Sequence, residues 1–199
     1  MDENKLIKFK EKAALVSAII HEIDTMDQAF EITAKLCLEK EPCEQLMKSK
    51  DASSGEKETV KIIAAPGLEP ALFDSFEALC MKDNICLVKQ GLRNYPGGID
   101  IGFSLVDYGI AETGTLVLSS DSEEIRLASM ISEIHVAVLK KSSIRESALN
   151  MAEELKALTD RPSSYTAFIT GPSRTADIER VLALGVHGPL ELHILILEA

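Results

Sequence analysis

The chain has 199 residues, of which 46% are hydrophobic, and its 21 basic and 32 acidic side chains give a formal charge of −11. This length suits one ordinary α/β domain or two very small ones, and the apolar content can fill a core. A disordered tail, a collagen-like rod and a disulfide-stapled miniprotein are thereby excluded. Nucleic-acid binding is disfavoured as well, because acidic side chains repel the phosphate backbone.

We expect residues 1–58 to form a variable amino-terminal part of the domain. A polar start, typical of a short helix or an arm, is followed by an apolar run over 14–23 for which we favour a strand. Thr25 then opens a helix as a capping box with Gln28. Residues 48–58 have the composition of a surface loop rather than of a linker between domains.

From residue 59 onward, short apolar runs alternate with helical patterns. Pro70 suits the first turn of a helix whose apolar stripe includes Phe76. Short strands that alternate with such helices indicate βαβ units and a mainly parallel sheet covered on both faces. The strand-like runs are 60–64, 85–88, 115–119, 134–139, 165–169 and 192–197, and the later helical patterns are 146–158 and 175–184.

The cysteines and the amino terminus indicate a reducing compartment. Cys37 and Cys43, like Cys80 and Cys86, are separated by five residues, unlike the two-residue gap of zinc knuckles, iron–sulfur sites and thioredoxin-like motifs. We expect free thiols, and no metal ion or iron–sulfur cluster in this chain. Residues 1–12 lack the apolar core of a signal peptide, and no apolar run approaches the ~20 residues of a membrane helix. We therefore expect a soluble, cytoplasmic protein that does not associate with membranes.

Glycines are concentrated in two parts of the chain. Six of the eleven lie between Gly91 and Gly114, and Gly171 and Gly188 begin Gly-Pro steps. Glycine permits tight turns and close approach of the backbone to a ligand. Since ligands of parallel α/β sheets bind beyond the carboxyl ends of the strands, we expect the site at the glycine-rich turns that follow strands.

The first candidate segment is Ile110–Leu118. Glu112 is its only charge among apolar neighbours, and a carboxylate placed there can act as a base or a nucleophile. Thr113 and Thr115 can donate hydrogen bonds to a ligand carboxylate or phosphate. The alternative is a β-turn with Gly114 at a positive φ and Glu112 in solvent.

The second candidate segment joins an apolar strand to a predicted helix through Gly171, Pro172, Ser173, Arg174 and Thr175. Free N–H groups and the positive end of the helix dipole favour an anion at such a turn, and Arg174 adds a fork of donors. The segment lacks the Gly-Lys-Ser/Thr ending of a P-loop. The alternative is a helix capped by Ser173 or Thr175, with Arg174 paired to an acid.

The third candidate segment contains His187, Gly188 and Pro189 before the last strand. His187 can serve as an acid–base group near neutral pH. A metal site of His187, Glu191 and His193 is disfavoured, because strand alternation puts the last two on one face and leaves His187 in the preceding turn. We expect His193 to be a sheet residue with a local hydrogen bond.

Five stretches occur in an order typical of one protein family. They are AETGTLVL at 111–118, Arg126-Leu127, His135-Val136, GPSRTADIE at 171–179 and GVHGP at 185–189. In these stretches the chain resembles the lactate-utilisation (LUD) domain family, and most of all its small subunits without iron–sulfur clusters. The resemblance is specific from about residue 100 onward. A proline expected near Ser132 is absent, which we expect to affect only a turn.

The resemblance implies one domain over residues 1–199, with its core in 59–199. The implied fold has three α/β/α layers with a mainly parallel sheet, similar to ribose-5-phosphate isomerase, glucosamine-6-phosphate deaminase and the CoA transferases. The resemblance also implies a role in oxidising L-lactate to pyruvate, together with two larger partner subunits that carry the iron–sulfur clusters.

Two functions are open at this point. In the first, the chain is an accessory subunit that binds a small anion such as lactate, pyruvate or a phosphate-bearing cofactor. Arg174 and the N–H groups of 171–175 would hold the charge, Thr113–Thr115 would form the opposite wall, and His187 would lie at the rim. In the second, the chain is an enzyme of the isomerase, CoA-transferase or folate cyclo-ligase type, with Glu112 as base or nucleophile. A purely structural role, the cofactor and a homo-oligomeric state are also left open.

Overall fold

Short strands and helices alternate along the chain. The computed structural model describes residues 3–41, 60–95, 98–160, 165–176, 182–184 and 188–198. The helices in these ranges are α1 (Glu3–Leu15), α2 (Met26–Glu39), α3 (Pro70–Lys82), α4 (Glu123–Met130) and α5 (Ala152–Thr159). The strands are β1 (Ile19–Ile23), β2 (Ile62–Ala64), β3 (Cys86–Val88), β4 (Ile99–Val106), β5 (Tyr108–Ile110), β6 (Thr115–Ser120), β7 (Ser132–Lys140), β8 (Ile144–Arg145), β9 (Tyr165–Ile169), β10 (Arg174–Ala176), β11 (Leu182–Leu184) and β12 (Glu191–Leu197).

Six of the strands in the described ranges form the large sheet, in the order β1–β12–β7–β4–β2–β3. Every neighbouring pair in it is parallel. Helices or further strands cover both faces, which explains why β7 and β12 are buried along nearly their whole length. The predicted α/β fold with a mainly parallel sheet is confirmed.

Helices α2 and α3 cover one face of the large sheet. The rings of Phe30 and Phe76 lie 4.4 Å apart at their centroids, and both contact Phe103 of β4. Each of the three is at most 1% exposed, and burial of one such side chain stabilises the fold by ~1.5–3 kcal/mol. Phe76 belongs to the apolar stripe that the sequence predicts.

A second sheet, in the order β8–β5–β6–β9, covers the opposite face together with α1 and α4. Leu116 and Leu118 of β6 pack with Phe9 of α1 against the large sheet, while Val117 points outward to Met151 near α5. The strands predicted at 115–119 and 165–169 exist, but they pair antiparallel in this second sheet. A layer of strands thus replaces helices on part of this face.

Strand β4 was not predicted, although it lies at the centre of the large sheet. Residues 99–105 alternate apolar with small or polar side chains, which is the period of a strand, but the glycines of this region favour turns. At Gly102 a Cβ atom would overlap the carbonyl oxygen of Ala128 at the end of α4. Gly102 therefore marks a close approach between a strand and a helix rather than a turn.

The helix predicted over 175–184 is wrong at both of its ends. Arg174–Ala176 forms β10 and pairs antiparallel with Leu182–Leu184, which forms β11. A short apolar run fits a strand as well as a helix, and here the pairing between the two segments decides. Residues 177–181 between them lie outside the described residues.

Local signals near the amino terminus predict the structure well. Thr25 Oγ1 accepts a hydrogen bond from the N–H of Gln28, and Gln28 Oε1 accepts one from the N–H of Asp24. The strand favoured within 14–23 is shorter than expected, because α1 continues to Leu15 before β1 begins. The loop at 48–58 lies outside the described residues.

Two of the cysteines lie in the core between α2 and α3. Cys37 and Cys80 are fully buried and free, and burial raises the pKa of each thiol to about 12. Cys43 lies outside the described residues. In the part of the chain that the structure describes, no helix has the length and apolar character needed to cross a bilayer.

Candidate functional site

The three candidate segments meet at the edge of the large sheet where β1, β12 and β7 begin. Val16 leads into β1, Leu190 leads into β12, and Met130 ends α4 just before β7. The carbonyl oxygen of Val16 contacts the second segment, and that of Met130 lies 3.8 Å from where a Cβ atom of Gly188 would be. We name the residues that come together there the amino-edge cluster: Thr113, Gly114, Thr115, Thr170, Gly171, Ser173, Arg174 and Gly188.

A chain of three hydroxyl groups joins the first segment to the second. Thr115 Oγ1 lies 2.7 Å from Thr113 Oγ1 and 2.8 Å from Thr170 Oγ1. The antiparallel pairing of Leu116 with Ile169 brings Thr115 and Thr170 side by side. Thr115 is buried, whereas Thr113 and Thr170 are exposed. Since a hydroxyl both donates and accepts, the exposed end of this row of three hydroxyls can offer a donor to a ligand.

Gly114 and Gly171 hold two turns against the end of α1. Their φ angles are +66° and +74°, a region that side chains other than glycine rarely adopt. A Cβ atom at Gly114 would overlap the backbone of Ala13, and one at Gly171 would overlap the carbonyl oxygen of Val16. Both glycines are therefore required by conformation and by close contact, and the expected positive φ at Gly114 is confirmed.

Arg174 is exposed and is held by the same end of α1. Its Nη2 donates to the carbonyl oxygen of Val16 at 2.9 Å, which stabilises the partial negative charge that follows a helix carboxyl end. Because Arg174 begins β10, no helix begins at Thr175, and the helix dipole cannot attract an anion there. Any anion preference of this turn must come from the guanidinium and from donors nearby.

The third segment packs directly on the second. The N–H of Ser173 donates to the carbonyl oxygen of Pro189 at 2.8 Å, and a Cβ atom at Gly188 would lie 3.1 Å from Ser173 Cβ. Pro172 is half-buried beside them. His187 lies outside the described residues, as does the side chain of Thr175.

Glu112 is exposed at the tip of the turn between β5 and β6. Its N–H donates to the carbonyl oxygen of Glu146 at 3.0 Å. The carboxylate of Glu146 accepts a hydrogen bond from Lys8 and raises the pKa of that lysine, with a smaller contribution from Glu112. Glu112 therefore lies on a charged surface rather than among apolar side chains.

The amino-edge cluster lies at the edge opposite to the one we expected. Ligands of parallel sheets bind beyond the carboxyl ends of the strands, whereas here the segments converge where β1, β12 and β7 begin. The cause is the second sheet. Gly171 and Arg174 follow β9, which runs antiparallel to β6 in that sheet and does not belong to the large one.

Two polar groups of this structure carry no signal in the sequence. Thr170 joins the hydroxyl chain only because β6 and β9 pair. Lys40, at the end of α2, binds Asp100 at 2.7 Å and Glu133 at 2.6 Å. Pairing across distant segments places both residues, and local spacing does not reveal such pairing.

The histidines have local partners. Nε2 of His193 lies 3.0 Å from Glu191, so the local hydrogen bond expected for it is confirmed. His135 is fully buried beside Ser104 at 2.7 Å, and burial lowers its pKa to about 4, which keeps the imidazole neutral. Among the described side chains, no group of three or more His, Cys, Asp or Glu residues is arranged to hold a metal ion.

The model of the LUD domain family matches residues 6–197. The chain belongs to the LUD domain family. A crystal structure of a DUF162 family protein from Deinococcus radiodurans has the same fold, with a TM-score of 0.60, 16% identity and coverage of 98% of this chain and 97% of that chain. The expected similarity to the isomerase, deaminase and CoA-transferase folds stays a prediction.

Curated relatives of this LUD domain match over part of their length. An uncharacterized protein of Neisseria meningitidis is 41% identical over 97 residues, which are 49% of this chain and 42% of that protein. The lactate utilization protein C of Halalkalibacterium halodurans is 39% identical over 102 residues, 50% of this chain and 44% of that protein. The protein of the same name from Geobacillus thermodenitrificans is 33% identical over 131 residues, 63% of this chain and 54% of that protein. The chain thus spans about half the length of the curated relatives that it matches.

Proposed function

We propose that this LUD domain is an accessory subunit in lactate utilization that binds a small anion at the amino-edge cluster. Relatives named lactate utilization protein C support the metabolic role. The observation that supports the binding role is that Gly114, which lies between two threonines, and Arg174 both contact the end of α1, although their segments lie about sixty residues apart.

Arg174 would hold the negative charge of the ligand. A guanidinium presents a planar fork of donors that matches a carboxylate or a phosphate. The bond to Val16 fixes the direction of the Arg174 side chain, so less conformational entropy is lost when a ligand binds. In a chain of net charge −11, a local cation is also needed to overcome the overall repulsion of anions.

The hydroxyl chain would recognise the rest of the ligand. Lactate and pyruvate each carry an oxygen on the carbon next to the carboxylate, and a hydroxyl group can donate to that oxygen or accept from it. Thr113 and Thr170 lie at the exposed ends of the chain. Gly114, Gly171 and Gly188 would admit the ligand close to the backbone, with Pro172, Ser173, Thr175 and His187 as further contacts predicted from the sequence.

The oxidation itself would take place with partner subunits. Conversion of lactate to pyruvate releases two electrons, and the cysteine spacing of this chain does not suit an iron–sulfur cluster. The proposed partners therefore carry the clusters, and the complex would work in the cytoplasm. An enzymatic role for Glu112 and His187 remains the alternative prediction, although the exposed position of Glu112 does not favour it.

The proposal is tested by thermal unfolding of the purified chain with a panel of ligands. The panel contains L-lactate, pyruvate, phosphate, CoA, nucleotides and sugar phosphates. A ligand present at 100 times its dissociation constant stabilises the folded state by about 2.7 kcal/mol. We expect a carboxylate or phosphate ligand to raise Tm in the wild type and not in Arg174→Ala.

The matched control is Arg93→Ala. Arg93 is exposed and pairs with Glu123 on a different part of the surface, so its removal should leave the ligand response unchanged. Loss of the response in both variants would indicate a nonspecific charge effect. A panel without any response, with all three proteins folded, would contradict anion binding by the isolated chain.

A further inference from the structure

On the opposite face of the large sheet from the amino-edge cluster, three titratable side chains form a hydrogen-bonded chain across β1 and β12. Oε2 of Glu191 lies 3.0 Å from Nε2 of His193, and Nδ1 of His193 lies 3.0 Å from Nε2 of His21. The imidazole planes differ by 12°, with centroids 5.3 Å apart. Because the nitrogens are much closer than the centroids, the rings meet edge to edge through an N–H···N bond. We name this arrangement the Glu–His–His chain.

The Glu–His–His chain faces the α2 side of the large sheet. His21 shares its face with Ile23, and His193 shares its face with Leu195, and both of these apolar residues belong to the core under α2 and α3. The amino-edge cluster packs against α1, on the other face. The two sets of polar groups are therefore separated by the sheet.

Helix α2 crosses the large sheet diagonally. It begins next to the end of β1 and is followed by Lys40, whose ammonium group binds Asp100 in β4 and Glu133 in β7. Its end therefore lies over β7 and β4, one strand inward from the corner where β1 and β12 begin. At that corner Ile19 is 43% exposed and the Glu191 side chain is 51% exposed. Solvent thus reaches the corner, where His21 is half-buried.

When both imidazoles are neutral, a single arrangement of protons satisfies both contacts of the Glu–His–His chain. An ionised carboxylate only accepts, so Nε2 of His193 must carry hydrogen and its Nδ1 must present a lone pair. Nε2 of His21 must then donate to that lone pair. This leaves Nδ1 of His21 without hydrogen, as a base at the end of the chain.

The surroundings of His21 keep this nitrogen available near neutral pH. Burial lowers the pKa of His21, and a positive charge on His193 lowers it further, so the two imidazoles do not both hold an extra proton. Glu22 on the same strand points to the other face, where it binds Lys10 at 2.5 Å. A neutral imidazole at pH 7 has a free lone pair, whereas an imidazolium has none.

We propose that the Glu–His–His chain is a second acid–base site, in which Nδ1 of His21 takes a proton from a small weak acid. In this step the O–H or N–H bond of the ligand breaks, the ligand keeps the electron pair, and an Nδ1–H bond forms. The Nε2 proton of His21 moves to Nδ1 of His193. The positive charge then rests on His193 beside Glu191, where the carboxylate stabilises it.

Diethyl pyrocarbonate is the probe, because it acylates neutral imidazole nitrogens. The nitrogen bonds to a carbonyl carbon, ethyl carbonate leaves, and the imidazole loses its proton to the solvent. The chain has four histidines, so mass mapping assigns the reaction rate of each. We expect His21 to react fastest, and we expect Glu191→Gln to slow it about tenfold. His135, which is buried against Ser104, serves as the unreactive reference.

The matched control is Glu22→Gln, which removes one carboxylate from the opposite face of the same strand and should leave the rate at His21 unchanged. Equal rates in Glu191→Gln and Glu22→Gln would overturn the proposal, as would faster modification of His187 than of His21. If Glu191→Gln does not fold, ¹⁵N chemical shifts of the wild type decide instead. They must show a bare Nδ1 and a protonated Nε2 on His21, and the opposite tautomer would overturn the proposal. Arg174→Ala should leave every one of these results unchanged, which separates this site from the anion site.

Discussion

Side chains fill the core on both faces of the large sheet, but on the face opposite α2 and α3 neighbouring elements also approach the backbone itself. Phe30, Phe76 and Phe103 fill the first face, which carries α2 and α3. On the second face, Gly102 admits the end of α4, and Gly109 lies under the side chains of α1 and β7. The first face should respond to changes in side-chain volume, and the second to the addition of a single methyl group.

The largest effect is expected at the centre of the face that carries α2 and α3. Phe76→Ala should lower the free energy of unfolding by about 4 kcal/mol, because it leaves a cavity between α2, α3 and β4. Phe76→Leu keeps most of the volume and should cost about 1.5 kcal/mol. Urea unfolding of both variants measures the difference. Equal losses would show that this face does not respond to volume.

The face opposite α2 and α3 should be destabilised by a single added methyl group. Gly102→Ala should cost about 3 kcal/mol, since the new Cβ would overlap a main-chain carbonyl of α4 that cannot rotate away. The control is Gly67→Ala, whose Cβ would meet only Ile125, at 3.8 Å. It should change stability by less than about 0.5 kcal/mol. Similar urea midpoints for the two variants would contradict the proposed difference between the faces.

A pH effect should distinguish the two faces further, because His135 lies buried beside Ser104 on the second one. In the folded chain burial lowers the pKa of His135 to about 4, so the imidazole stays neutral down to about that pH. In the unfolded chain the imidazole has its ordinary pKa of 6.5 and takes up a proton below that pH. Stability should therefore fall as the pH falls through this window, by ~2 kcal/mol between pH 6.5 and pH 5.

The double variant Ser104→Ala/His135→Leu removes both polar partners and so leaves no unpaired group. Its stability, measured by urea unfolding at each pH, should depend less on pH than that of the wild type. The same pH slope in both proteins would mean that His135 is protonated in the folded state as readily as in the unfolded state.

The smallest effect concerns two threonines of the second sheet. Thr115→Val removes two hydroxyl contacts and should cost about 1 kcal/mol. Thr166 Oγ1 is buried and has no partner among the described atoms, so Thr166→Val should be neutral or stabilising. Thermal unfolding of both variants checks the pair, and a greater loss in Thr166→Val would contradict the roles assigned to the two hydroxyls.

Local chemistry explains which elements the sequence predicts. Thr25 and Pro70 act on their own first helical turns, and the stripe around Phe76 repeats with the helical period, so each is visible in a short window. Strand β4 is visible in the same way, through its period-two alternation, but the reason for Gly102 is not, because α4, which requires it, follows by about twenty residues. The Leu182–Leu184 run has no period that separates strand from helix, and only its pairing with β10 decides.

The residues of the candidate site are likewise visible in the sequence only where local chemistry reveals them. Composition singles out Thr113, Gly114 and Arg174, because glycines, hydroxyls and an arginine in turns are locally unusual. Their placement at the amino-terminal edge depends on the second sheet, which is absent from the fold that the sequence predicts. Thr170 is part of the hydroxyl chain for the same reason. The Glu–His–His chain requires β1 and β12 to be neighbours, and these strands lie about 170 residues apart.

That separation governs the order in which the protein can assemble during synthesis. Among the described strands of the large sheet, β1 has a single neighbour, β12, so the first strand in chain order pairs only with the last. At 5–20 residues per second a ribosome needs roughly 10–35 s to make the intervening chain. Throughout that time β1 has no neighbouring strand in the large sheet. The addition of β1 to the sheet should therefore be a late step of folding.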